Sequence, residues 1–375
     1  MIPVNEPLLN GKEREYLLEC IETGWISSEG PFIKNFEEKF SAFVGKKFGV
    51  AVSNGTAALE IALKALGLNS EDEVIIPDFT IISCAQAVVK TGAKIVPIDC
   101  DFRTFNVKVE DIERRITERT KVIMAVHIYG LPVDMEVVLY LAKKYNLKII
   151  EDAAEAIGLT YKNKQCGSFG DISVFSFYAN KHITTGEGGM ILTDDEEIYE
   201  KCKYYRNLCF STAPGLRFIH EDLGWNYRMT NLQAALGLAQ LERIESIVEK
   251  KRWIGRKYGK LLSDIENIYL PIEKTDYAEN IFWVFPIVLK DEVNKSAKEL
   301  MRELQLKGIG TRPFFYPIHK QPILRKLKCF GGNIKEDYYI NSPKLYEKGF
   351  YIPSGLALTE EQIEKVSEIL HEVLL

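Results

Sequence analysis

Lys148-Ile-Ile-Glu151-Asp152-Ala-Ala-Glu155-Ala156 and Ile172-Ser-Val-Phe-Ser176-Phe-Tyr-Ala-Asn-Lys181 decide the fold. Each begins as a short apolar run rich in Ile, Val or Phe and stops at charged residues. Similar runs precede and follow them: Glu73–Pro77, Lys94–Asp99, Lys121–Val126 and Gly189–Thr193. Segments with helical spacing lie between, at Thr56–Leu66, Val109–Ile116 and Asp134–Tyr145. Near-continuous apolar strands alternating with amphipathic helices predict an α/β chain whose mostly parallel sheet is covered on both faces. Ligands of such sheets bind outside the carboxyl ends of the strands. Asp152 and Lys181 both fall at such ends, so one crevice can hold both. A lysine in a strand-end loop is ordinarily a solvated charge. Here a carboxylate shares its crevice, and an imine-forming lysine with an aspartate under a pyridine ring is the minimal protein equipment for pyridoxal phosphate chemistry.

Length and composition are consistent with a globular enzyme. The chain has 375 residues, 46% hydrophobic and 27% charged, with a net charge of −5. That length predicts a large domain and a smaller one, and we place the division at 1–245 and 246–375. A long helical stretch from Thr230 to Lys251 and beyond leads into strands near Trp283–Val288 and a terminal helix from Thr359. No basic face suggests nucleic acid, and no apolar run approaches the length of a membrane span. The seven cysteines are scattered and form no C-x-x-C pair, which argues against a zinc site or disulfide framework and for reduced thiols in the cytoplasm. No metal is expected, and Met1-Ile-Pro-Val-Asn-Glu has no signal-peptide character.

A phosphate site is expected at Ser53-Asn-Gly55-Thr56, which opens a helix. Gly55 permits close backbone approach, and the amides of Gly55 and Thr56 would face an anion at the helix start; Asn54 or Thr56 as a plain N-cap is the alternative. Ser176 would add a hydroxyl donor to the same phosphate, or else bond neighbouring backbone. Asp152 would favour the protonated pyridine nitrogen, because an opposite charge stabilises the charged form. Glu155 would bond the ring's phenolic oxygen. Glu151, Asp152 and Glu155 also suit a helix N-terminus, where acids are favoured in any case.

With Asn54-Gly-Thr, Glu151–Ala156, Phe175-Ser-Phe-x-x-Asn-Lys181, Thr184-Thr-Gly-Glu-Gly-Gly189, Trp225-Asn-Tyr-Arg-Met-Thr-Asn231, Trp25-Ile-Ser-Ser28 and Arg312–His319 in order, the chain resembles the DegT–StrS type nucleotide-sugar aminotransferases along essentially its whole length. The pattern is most similar to the perosamine-synthase branch, with Glu155 where many relatives carry glutamine. The resemblance implies the aspartate-aminotransferase-like fold (fold type I), with a seven-stranded type of large sheet and a smaller α+β C-terminal domain. It implies pyridoxal 5'-phosphate as cofactor, L-glutamate as amino donor, and amination at C4 of GDP-4-keto-6-deoxymannose for surface-polysaccharide synthesis. It also implies a homodimer with shared active sites, in which Asn226 reaches the partner's cofactor phosphate. Trp25, Ser28, Tyr316 and His319 match segments near the sugar nucleotide, and His127 matches a strand end or is a packed core histidine.

Two positions depart from the family. Ile81 stands where relatives usually place an aromatic ring against the cofactor face, which would forfeit about 0.5–1.5 kcal/mol of stacking preference. His182 stands where a small residue is common, and would touch the sugar, tune proton transfer or point away. The alternatives are a UDP- or dTDP-linked ketosugar or a C3 ketone, a sugar dehydratase (disfavoured by Lys181), and a non-catalytic regulatory relative. No G-x-G-x-x-G follows the first strand, which disfavours a dinucleotide-binding enzyme.

Overall fold

The apolar runs form one twisted sheet in the computed structural model, which describes residues 1–211, 213, 215–332 and 334–374. Its strands are β1 (Phe48–Val52), β2 (Glu73–Pro77), β3 (Lys94–Ile98), β4 (Thr120–Val126), β5 (Lys148–Asp152), β6 (Ile172–Ser176) and β7 (Gly189–Thr193). Their order is β1-β7-β6-β5-β4-β2-β3. The pairs β2–β3, β2–β4, β4–β5 and β5–β6 are parallel, and β7 alone runs antiparallel to both its neighbours, β6 and β1. Side chains alternate between the two faces as strand geometry requires. Ile75, Ile123 and Ile149 enter one buried cluster with the helices Pro31–Val44, Met135–Tyr145 and Asn231–Leu241. Val74, Ile76, Val122, Met124 and Ile150 enter the other, with the helices Gly55–Ala65 and Ile82–Lys90.

β1 was not among the expected strands. Its run is short and interrupted by Gly49, and it lies at the sheet edge. The edge is covered, as unpaired strand groups require: the Ala51 amide donates to Glu37 Oε1 (2.8 Å), and Arg206 pairs with the same carboxylate at 2.7 Å. A Cβ at Gly49 would stand 2.7 Å from the Glu37 carbonyl oxygen, so only glycine lets the helix Pro31–Val44 cross this closely.

The long helix expected from Thr230 to Lys251 is two helices, Asn231–Leu241 and Ile244–Leu261. The first begins with a capping box of Thr230 and Gln233. After the break at Glu242–Arg243 the second helix passes from one core to another, its Ile244, Ile247 and Val248 still in the cluster of the first helix. Residues Ala234, Ala235 and Leu238 pack beneath the large sheet, while Ile254 and Tyr258 pack with Phe285, Ile287 and Leu289 in a third cluster. Periodicity carries no record of such a change of axis. The expected division at 245/246 falls in the first turn of the second helix.

A second, four-stranded sheet follows: β8 (Ile268–Tyr269), β9 (Phe285–Leu289), β10 (Arg312–Pro313) and β11 (Gly349–Ile352), in the order β8-β9-β11-β10, all antiparallel. The helices Ala297–Leu306 and Glu360–Leu374 cover it. Ile2 bridges to Ile309, so the N-terminal residues join this layer.

The start of β7 lies directly against the turn before the helix Gly55–Ala65. A Cβ at Gly189 would stand 2.6 Å from the Asn54 carbonyl carbon and 2.9 Å from the Gly55 nitrogen, both backbone atoms that cannot rotate aside. Gly189→Ala is therefore expected to cost about 1–3 kcal/mol by overpacking. Urea unfolding of the cofactor-free protein would show it as a lowered midpoint at unchanged slope.

Candidate functional site

Glu151, the penultimate residue of β5, organises the ground beneath the site. It is fully buried, and its carboxylate accepts from the amides of Phe169 (2.8 Å), Gly170 (2.9 Å) and Gly167 (2.5 Å) and bonds His127 Nε2 at 2.9 Å. The Val133 amide donates to His127 Nδ1 at 3.1 Å, so Nε2 carries the proton given to Glu151. Burial alone pushes the Glu151 carboxyl up, but His127 and the glycine amides outweigh it and hold its pKa below the ordinary 4.5. His127 is thus a packed core histidine that ties the end of β4 to β5. The Cys166 thiol lies within 4.8 Å of both, but His127 and Glu151 spend their polar atoms on each other and on backbone amides.

With that loop held, β6 enters parallel to β5, and the two strand ends open on one cavity of about 630 Å3. Its walls include Gly55, Thr56, Ile81, Asp152, Glu155, Ser176 and Lys181. The structure therefore brings together seven of the expected residues from four separate chain segments. Asn54 caps the helix Gly55–Ala65 by accepting the Ala57 amide at 2.8 Å, which leaves the amides of Gly55 and Thr56 directed out of the helix start. Cap and anion site are therefore compatible. Ser176 stands beside them, so close that a Cβ at Gly55 would meet the Ser176 Cβ at 2.8 Å. Thr56 donates its hydroxyl to Ser83 at 2.9 Å.

Asp152 is buried; its Oδ1 accepts the Ala154 amide at 3.0 Å, and its Oδ2 is met by the Cys84 thiol at 3.5 Å. Burial raises the Asp152 pKa above 3.8 against the pull of the Ala154 amide and Lys181, and burial likewise raises that of the Cys84 thiol, which stays a donor. Lys181 Nζ lies 3.7 Å from Glu155 Oε1 and 3.9 Å from the centre of the Trp283 ring. The Tyr129 amide donates to the other Glu155 oxygen at 2.9 Å. Burial drives this pair toward neutrality, lowering the lysine and raising the acid, while their mutual attraction opposes it. A buried carboxylate with one weakly occupied oxygen, an amine eased toward its free base and a helix start with free amides suit a pyridine nitrogen, an aldehyde and a phosphate. The residues present fit pyridoxal phosphate.

The remaining expected residues lie elsewhere. Ile81 does line the crevice, 46% exposed, whereas Phe79 is fully buried among Phe105, Tyr129, Phe314 and Phe315 and offers the crevice no ring. His182 is 1% exposed and does not line the cavity. Neither ring nitrogen has a hydrogen-bond partner among the described residues, and burial, then Lys251, holds it neutral. Its side chain is therefore packed outside this cavity. His319 is fully buried too: its Nδ1 bonds Asp78 at 2.6 Å, and its ring stacks on Tyr339 at 3.9 Å. That imidazole ties the segment 312–319 to the end of β2 instead of facing the crevice. Tyr316 packs edge-on against Tyr346. Trp25 is half exposed, Asn226 is exposed and bridges Asn207, and Ser28 lines a different cavity of about 870 Å3 with Arg206, Asn207 and Arg228.

Sequence reasoning missed Tyr178, Trp283, Phe315 and Tyr351 on the crevice wall. The last three come from the C-terminal third of the chain. Trp283 stood in an expected strand, and nothing in local spacing distinguishes a wall residue from a core one.

Comparison with known proteins agrees with this geometry. A family model described as the DegT/DnrJ/EryC1/StrS aminotransferase family matches residues 7–371. The chain is 42% identical to a GDP-perosamine synthase of Escherichia coli O157:H7, covering 99% of this chain and 98% of the relative. It is 40% identical to a GDP-perosamine synthase of Caulobacter vibrioides, over 100% and 98%. The PLP form of the putative sugar aminotransferase Spr1654 from Streptococcus pneumoniae superposes with a TM-score of 0.90 at 26% identity, over 100% and 99% of the two chains.

Glu151→Gln puts an amide NH2 among four donors and should destabilise the protein by about 3 kcal/mol. Because the folded carboxyl is held below 4.5, its contribution is present above that pH and lost as pH falls through the folded value. Urea midpoints measured from pH 7 to pH 3 should therefore converge for the two proteins in acid.

Proposed function

This chain belongs to the DegT/DnrJ/EryC1/StrS aminotransferase family, and on that premise we propose that it aminates the C4 ketone of GDP-4-keto-6-deoxymannose, with L-glutamate as donor, to give GDP-perosamine. It is a pyridoxal-phosphate-dependent sugar aminotransferase. The observation that carries the reading is the convergence of Lys181, Asp152, Glu155 and the Gly55–Thr56 helix start on one crevice. Full-length identity near 40% to GDP-perosamine synthases supports the choice of sugar.

Gly55, Thr56 and Ser176 would hold the cofactor's phosphate, Asp152 its ring nitrogen, and Ile81 would lie against its face. Bound there, pyridoxal phosphate supplies an aldehyde that captures amines and an electron-withdrawing ring that eases loss of a proton from carbon. Lys181 Nζ would take the proton from the donor's Cα and return it, and burial, which lowers its pKa against the pull of Glu155 and Asp152, eases it toward the free base this requires. Asp152, whose pKa burial raises, would be held ionised by the protonated ring nitrogen it would face. Glu155, held by the Tyr129 amide and beside Lys181 Nζ, would bond the cofactor's phenolic oxygen. Over the two half-reactions glutamate gives up its amine and its Cα hydrogen and takes an oxygen from water to become 2-oxoglutarate, while the ketone carbon loses its oxygen as water and gains the amine and a hydrogen.

The site is shared in a homodimer on this reading. Trp25, Ser28 and Asn226 lie outside the crevice of their own chain, which supports their reaching the crevice of a second copy, Asn226 at the phosphate and the others at the sugar nucleotide. Tyr316, half exposed, would line the approach, and Tyr178 and Phe315 offer aromatic faces to the sugar or base. The seven cysteines are all free, as in a reducing cytoplasm, and no helix among the described residues is long and apolar enough to cross a membrane. The chain divides at about 245/246 into a cofactor-binding and a smaller C-terminal domain.

Purified protein should show near-ultraviolet to visible absorbance of lysine-bound cofactor that glutamate bleaches, and Lys181→Ala should lack it. Mass measurement on a panel of GDP-, UDP- and dTDP-4-keto sugars identifies the substrate; turnover of only a UDP or dTDP sugar overturns the perosamine assignment. Separately, inactive Lys181→Ala and Asn226→Ala proteins should regain on the order of a quarter of wild-type activity when unfolded together and refolded, because mixed pairs carry one intact site. No recovery would place Asn226 in its own chain's chemistry or outside it.

A further inference from the structure

Trp283 is joined to Lys181 by two independent contacts. The lysine Nζ lies 3.9 Å from the centre of the indole ring, and the indole Nε1–H donates to the carbonyl of Asn180, the residue before the lysine, at 2.9 Å. The ring is thus tied to the backbone of the very loop whose side chain it faces. It is also fixed from behind. Lys251, buried in the helix Ile244–Leu261, donates to the Trp283 carbonyl at 2.7 Å and to the Ser354 carbonyl at 2.5 Å. Tyr129 and Tyr351 pack against the indole at 5.9 and 6.3 Å. A Cβ on Gly130 would stand 2.8 Å from the Trp283 nitrogen, so the backbone there is closely confined as well. With 3% exposure, the indole has no freedom to leave.

We infer that Trp283 is the positioning residue of Lys181, its indole face being the seat of the free ammonium between the steps in which the lysine is joined to the cofactor. The inference rests on the proposed cofactor role of Lys181. The charged groups facing that amine are Glu155 and Asp152 from the end of β5, with the Cys84 thiol from the helix Ile82–Lys90, His182 beside it and Lys251 behind the indole. Burial opposes the ammonium, and Glu155 alone would hold it in place only by acting as a competing base. An indole face attracts a cation within about 6 Å, most strongly when water is excluded, yet it has no site for the proton. It therefore holds the nitrogen in place without taking the proton the reaction needs.

The test is made on cofactor-free protein, so that it reads the lysine itself. Labelling of Lys181 by an amine-reactive sulfonate, quantified by peptide mass across pH, gives its apparent pKa. In Trp283→Leu this value should fall by about one unit, the size expected for a buried cation–π contact; in Trp283→Phe, which keeps a weaker face, it should fall less. Indole emission of the wild-type protein should titrate with the same midpoint, and Lys181→Met should abolish that titration. Unchanged lysine titration in the folded variants overturns the inference. If the leucine variant does not fold, the phenylalanine variant and the wild-type emission decide, and emission that ignores Lys181 overturns it. Failure to bind pyridoxal phosphate would instead overturn the proposed function and leave these titrations readable.

Discussion

The buried carboxylate of Glu151 is the interaction on which the site depends. It closes the end of β5 by taking three amides from the loop 167–170 and the imidazole of His127 from the end of β4. The loop so held delivers β6 alongside β5 in parallel register, Ile150 opposite Ile172 and Asp152 opposite Val174. Only then do Asp152 and the loop carrying Lys181 open on one cavity. A carboxylate so buried is tolerated because each of its oxygens is hydrogen-bonded, and an unpaired one would be expelled or neutralised.

Next to this saturated acid stands a second kind of acid. Asp152 and Glu155 are buried like Glu151 but hold fewer donors, and burial raises both, whereas the hydrogen bonds of Glu151 outweigh burial there. Three carboxylates within five residues thus divide into one that builds and two that face the crevice. The division follows from the count of hydrogen bonds, since burial is common to all three. Lys181 is the complement, held between Glu155 and the Trp283 face and eased toward its free base.

Much of this was legible in the chain. The strand runs, the helix start at Asn54-Gly-Thr56 and the placement of Asp152 and Lys181 at strand ends follow from local rules of period and capping, and the structure shows the elements where those rules put them. β1 escaped because a five-residue run containing Gly49 owes its strand form to β7 and to the cover from Glu37. The break at Glu242–Arg243 escaped because both helices keep helical spacing on either side of it. His182 and His319 suggested chemistry by type and neighbourhood, yet Asp78 and the packing around residue 182 bury them away from the cavity. Trp283 escaped for the opposite reason, since in sequence it is one aromatic in an apolar strand.

By itself, then, the amino-acid sequence determined the alternation of strand and helix, the parallel sheet and the two charged residues at its open end. These are consequences of neighbours within a few positions, where period, caps and β-branched runs act. The tertiary structure alone decided which carboxylate is saturated, which histidines face inward, and that an indole from the C-terminal third meets the lysine. Those outcomes depend on burial and on contacts between segments about a hundred residues apart, such as Lys181 with Trp283; distance along the chain carries no information about them.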